Sequence, residues 1–153
     1  MTVQTTAGST LAIAADAPAT FDAAGFGALT FTTIGEITNF GEHGREYALV
    51  THNPASTRGT QKYKGSFDSG AKDTSLAIDK DDAGQIIAEG AVLSDDDYSF
   101  VETWQDGAKE YFRGKVMSFK TQAGGVDDIR SGTIMVQITT DKDGNDFVFV
   151  PAA

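Results

Sequence analysis

Two histidines, His43 and His52, are the only imidazoles in the chain. They stand nine residues apart with no carboxylate pattern beside them. A zinc site needs three or four ligands at recurrent short spacings, so both read as solvated loop side chains. The run Asp141-Lys142-Asp143-Gly144-Asn145-Asp146 has the acids of a calcium loop. An EF-hand, however, places its glycine sixth and a glutamate twelfth. Here the glycine is fourth and Ala152 is twelfth, so the expectation is a tight turn. No G-x-S-x-G elbow occurs to present a serine nucleophile. The acids Asp79, Asp81 and Asp82, and Asp95, Asp96 and Asp97, bracket a helical pattern rather than a cleft, which argues against glycosidase-type carboxylate pairs. Arg58, Lys62 and Lys64 form a small basic cluster that suits partner contact or ion pairing better than nucleic acid. With no catalytic set, cofactor motif or metal set, the chain reads as a non-enzymatic protein that builds or binds.

Composition narrows the classes further. At 153 residues, 40% hydrophobic and with ten Phe, the chain has enough apolar mass for one domain with a core. It has no cysteine, which excludes disulfides and thiolate metal sites. No apolar run approaches the roughly 18 residues of a membrane span, so no membrane partner is expected. The N-terminal MTVQTTAGSTLAIAADA lacks a basic leader region and is not read as a signal peptide. The formal charge of −10 opposes gripping DNA, since phosphate binding needs a basic footprint.

The elements follow from periodicity. Residues 1–8 read as a loose arm and 16–28, rich in Ala, Gly and Pro, as a loop. Strands are expected over Thr10–Ala14, Leu29–Asn39, Gly59–Phe67, Tyr98–Gln105, Glu110–Thr121, Gly132–Thr140 and Phe147–Val150. Residues 42–59 form a long excursion around Asn53-Pro54, expected as a projecting hairpin. One helix is expected over Asp81–Leu93, capped by Asp79 or Asp81. Ile86, Ile87 and Leu93 are its core face. Asp106-Gly107 is a two-residue hairpin turn. In the strand at 132–140, Ile134, Val136 and Ile138 face one way, and Thr133, Gln137 and Thr139 the other. The fold class is therefore mainly β with one α-helix, a β-sandwich or partial barrel flanked by that helix.

The segments THNPASTRGTQKYKGSFDSG, DDAGQIIAEGA and YSFVETWQDGAKEYFRGKVMSFKT, in that order, resemble the major tail tube proteins of long-tailed, lambda-like siphovirus bacteriophages. The resemblance runs from about Gly8 to Val150. It implies a homohexameric ring that stacks into the conduit for DNA delivery. It implies a place in the virion tail, with assembly in the host cytoplasm. The implied partners are the chain itself and tape measure, terminator and distal tail proteins, with DNA passing unbound and no cofactor. The resemblance makes Glu42, His43, Arg45, Tyr47, His52, Asn53, Pro54 and Arg58 the ring-stacking loop. Glu36, Lys62, Lys64, Ser66, Glu102, Glu110, Thr133, Gln137 and Thr139 are the bore-lining candidates. A secretion-system-type tube protein is the near alternative, and a soluble β-sandwich binding module of adhesin type the distant one.

Overall fold

The computed structural model describes residues 2–153. Ten strands and two helices make one eight-stranded antiparallel sheet and a separate two-stranded hairpin. The sheet comprises β1 (Thr10–Ala14), β2 (Thr32–Ile34), β3 (Ile37–Asn39), β6 (Ala71–Ala77), β7 (Tyr98–Thr103), β8 (Lys109–Gln122), β9 (Ser131–Thr139) and β10 (Phe147–Val150). Its order is β2-β1-β7-β8-β9-β6-β3, with β10 also on β8. The two end strands, β2 and β3, are joined by Gly35-Glu36 alone. The sheet therefore curls until its ends nearly meet, the partial barrel expected of a mainly β chain. Such closure leaves few edges open to wrong pairing. Glu36 adopts φ 60° at the kink, the sole non-glycine with positive φ among the described residues.

Strands β9 and β10 lie end to end along one side of β8. Thr139 faces Arg113, and Phe147 resumes opposite Phe112. Residues 140–146 are thus a loop inserted into one interrupted strand, built on the Asp141 carboxylate. That carboxylate accepts from the backbone N–H of Asp143 at 2.9 Å and of Asn145 at 2.8 Å. The tight turn expected there is what forms.

Alternation puts an apolar layer on each side of the sheet. Phe100, Phe112, Val116, Ile134, Val136 and Ile138 fill the barrel interior beneath α2 (Ala83–Ala91). Ala12, Val101 and Tyr111 face outward and are covered by Phe26 of α1 (Ala23–Gly27). This second helix corrects the expectation of a structureless loop over 16–28. Its composition carries no period. The helix depends on Asp22, whose carboxylate caps Gly25 N–H at 2.7 Å, and on burial of Phe26 against Tyr111 at 5.1 Å.

Helix α2 corrects two further expectations. Its N-cap is Asp82, not Asp79 or Asp81: the Asp82 carboxylate accepts from Gln85 N–H and, across 47 residues, from Gly35 N–H. Its inner face is Gly84, Gln85, Ala88 and Ala91. Ile87 packs partly on the core, but Ile86 is 53% exposed and Leu93 91% exposed. The reason is distance: a Cβ on Gly84 would stand 2.2 Å from the Thr33 carbonyl oxygen. Gly84, with Ala88 and Ala91 on the same face, allows so close an approach, and Ile86 is turned outward.

The hairpin pairs β4 (Glu46–His52) with β5 (Gln61–Asp68), and neither pairs with another of the described strands. Gly59–Phe67 was expected to return into the body. Instead it is the hairpin's second arm, so the projection is longer than 42–59. Every residue of β4 is exposed. Residues 2–9 form neither helix nor strand, and Met1 lies outside the described residues.

Candidate functional site at the hairpin root

The hairpin joins the body through residues 41–46 and 68–71. Arg45, just before β4, reaches back to Asp146, just before β10. Its Nε and Nη2 donate to the two carboxylate oxygens at 2.8 Å each. Such bidentate pairing fixes orientation as well as charge. The Asp146 carboxylate also accepts from Ser69 Oγ at 2.9 Å, and the guanidinium lies over the Phe67 ring at 4.2 Å. Burial raises the Asp146 pKa, but hydrogen bonds from Arg45 and Ser69 outweigh it and hold the carboxyl below its ordinary value.

Beside this clamp, the end of the barrel interior is polar. The register of β7 on β8 sets Phe100 opposite Phe112 and Glu102 opposite Glu110. Two like charges directly opposed on one face repel, so they need a cation. Alternation on β6 supplies one, because Lys72 shares the inward face with Thr74 and Leu76. Lys72 is 1% exposed, and its Nζ lies 3.6 Å from Glu102 Oε2 and 3.2 Å from His43 Nδ1. An ammonium can only donate, so Nδ1 accepts. The imidazole proton then sits on Nε2 and is donated to Glu110 Oε2 at 2.8 Å. Burial pushes the Lys72 ammonium below its ordinary value, against the pull of Glu102 and Glu110. The imidazole packs on Phe112 and Phe147, with ring centres 5.8 and 5.1 Å away.

His43 is therefore not a solvated loop side chain; it is 13% exposed and closes the barrel end. His52 is exposed, but it stands on strand β4 and not in a loop. The absence of a carboxylate pattern near His43 in sequence misled, because Glu102 and Glu110 arrive from 59 and 67 residues away. One donor atom from each of the three lies within 4.8 Å of the others. Lys72 carried a usable signal: in KDTSL it shares a period-two face with Thr74 and Leu76. The link from Arg45 to Asp146 left no trace in the sequence.

The remaining candidates fall into separate places. Glu42, Arg45 and Tyr47 lie at the root; Asn53, Pro54 and Arg58 form the tip. Lys62, Lys64 and Ser66 are exposed on β5. Lys62 is paired with Thr51 and Lys64 with Leu49. Thr133, Gln137 and Thr139 occupy the outward face of β9, away from buried Ile134, Val136 and Ile138. Glu36 is exposed at the kink. Glu102 alone is buried, and its carboxylate points into the subunit.

The fold has counterparts among solved structures. It superposes with a TM-score of 0.68 on a chain of the anti-feeding prophage baseplate, a sixfold-symmetrised cryo-EM structure, covering 98% of this chain and 97% of that one at 4% identity. It superposes with a TM-score of 0.54 on the tail tube of SPP1, a hybrid solid-state NMR and cryo-EM structure, covering 85% and 72% at 14% identity. The fold is of tail-tube type. No family model matches the chain, and no curated protein matches it.

Proposed function

We propose that the chain is a structural, non-enzymatic subunit of a phage-type tail tube, six copies forming a ring and rings stacking into a conduit for DNA. One observation carries this reading: the β4–β5 hairpin. It stands off a nearly closed body with both strand edges unpaired and with Leu49, Val50 and Tyr63 exposed. A two-stranded hairpin is marginal alone, and free edges invite pairing with another chain. A partner that completes this sheet resolves both problems, and a ring of identical copies supplies it without leaving an end. The acidic charge suits a wall past which phosphates slide. The fold likeness to a tail tube supports the same reading.

The test is negative-stain microscopy of the purified protein at high concentration. Sixfold rings or tubes are expected; particles of another symmetry would overturn the proposal. The near-complete overlap with a baseplate chain favours a second reading, a tube-like ring at one level of a baseplate. Copy number separates them: many stacked rings for a tube, one or a few for a baseplate component.

A further inference from the structure

We propose that one face of the β4–β5 hairpin docks on the outer face of α2 in a second copy of this chain, a head-to-tail contact that joins each subunit to the next. The inference rests on the reading of the chain as a self-assembling subunit and names the two surfaces that meet.

Register assigns the faces of the hairpin. Leu49 stands opposite Lys64 and Thr51 opposite Lys62, so these four share one face. Tyr47 joins them, with Lys64 Nζ 4.9 Å from its ring centre. Glu46 and Asp68, the only acids in residues 46–68, pair with each other one step out of phase, on the other face. The Lys62 and Lys64 face is therefore apolar and basic, with Leu49 exposed upon it.

The outer side of α2 is its counterpart. Ile86 and Leu93, two turns apart, are both exposed, and Gly90 between them leaves open space. Asp81, Glu89, Asp95 and Asp96 surround this stripe and are exposed. Lys80, the only basic residue in 79–97, is already paired with Glu89 at 3.2 Å. The α2 surface is thus apolar and acidic.

Each surface repels its own kind and attracts the other, and such complementarity fixes which patch meets which. The contact covers two apolar strips at once and gives the hairpin, marginal alone, a body to pack on. Every copy offers both surfaces, so the contact repeats head to tail, and a rotation that closes yields a ring.

The experiment is sedimentation velocity of the full chain over a range of concentrations. Lys62→Glu with Lys64→Glu, and separately Asp95→Lys with Asp96→Lys, should each raise the concentration needed for assembly at least about tenfold. The chain carrying all four reversals should recover it. Leu93→Asp should block assembly with an unchanged melting temperature. Mixed together, the Leu93→Asp chain (hairpin intact) and the Lys62→Glu, Lys64→Glu chain (helix face intact) should form 1:1 pairs that neither forms alone, which also shows that both are folded. If the wild type assembles and the reversed chains assemble as well as it does, or the four-reversal chain stays dispersed, the contact is overturned while the subunit reading stands, and another occupant covers α2. A wild type that stops at dimers overturns the head-to-tail contact, and one that stays monomeric throughout overturns both.

Discussion

Arg45 and Asp146, 101 residues apart, share two parallel 2.8 Å hydrogen bonds that fasten the hairpin to the interrupted strand of the barrel. Asp146 is 3% exposed and also holds Ser69, so exchanging the carboxylate for an amide removes its charge and turns one of its two acceptor oxygens into a donor that faces Arg45 or Ser69. Asp146→Asn should cost about 1.5–3 kcal/mol, read as a lower urea midpoint with an unchanged slope.

The same pair sets an acid response. The Asp146 carboxyl titrates below its ordinary value when folded. Its contribution is therefore complete above the ordinary carboxylate pKa, about 3.9, and is lost as pH falls through the depressed one. Below about pH 3.9 the wild-type melting temperature should drop more steeply than that of Asp146→Asn. Parallel curves would show that this carboxylate is not the one responsible.

Two glycines of α2 should respond oppositely to alanine. Gly90 has open space around its missing side chain, so Gly90→Ala should stabilise by about 0.4–1 kcal/mol. At Gly84 the new Cβ meets the β2 backbone at 2.2 Å. Gly84→Ala should destabilise despite its better helix propensity, and equal gains at both sites would contradict the close approach.

The helix face gives a further contrast. Ile86→Asp, on the exposed side, should shift stability by no more than about 0.5 kcal/mol. Ala88 has no exposed surface, and Ala88→Leu should cost about 1–3 kcal/mol by overpacking. Denaturant midpoints for the pair decide which side faces the barrel.

The hairpin tests the assembly reading separately. Deleting Val50–Thr57 should leave a cooperatively folding monomer, because β4 buries no residue of the body core. That monomer should fail to polymerise. Tubes of normal appearance would sink the stacking role.

Much of the fold was legible in the residues themselves. Period-two alternation marked β7 and β9 and separated the buried Ile134, Val136 and Ile138 from Thr133, Gln137 and Thr139, because a pleated strand on a core must alternate. Asp106-Gly107 marked its hairpin, because a two-residue turn demands that chemistry. The acids Asp79, Asp81 and Asp82 marked a helix start, although which aspartate caps it was settled by the reach to Gly35. What the tertiary structure decided was everything that depends on register and on closure. Ile86 and Leu93 look like core in a helical wheel, but the buried face is that of Gly84, Ala88 and Ala91, and both turn outward. Gly59–Phe67 has the pattern of a body strand; its departure with β4 is a matter of which edges pair. His43 reads as a loop histidine because its neighbours in sequence are not its neighbours in space. Curling of the sheet, joined end to end through Gly35-Glu36, carries Lys72, Glu102 and Glu110 to one end of the barrel, where His43 meets them. Contacts across 29 to 67 residues are set by strand order, and no local pattern encodes strand order.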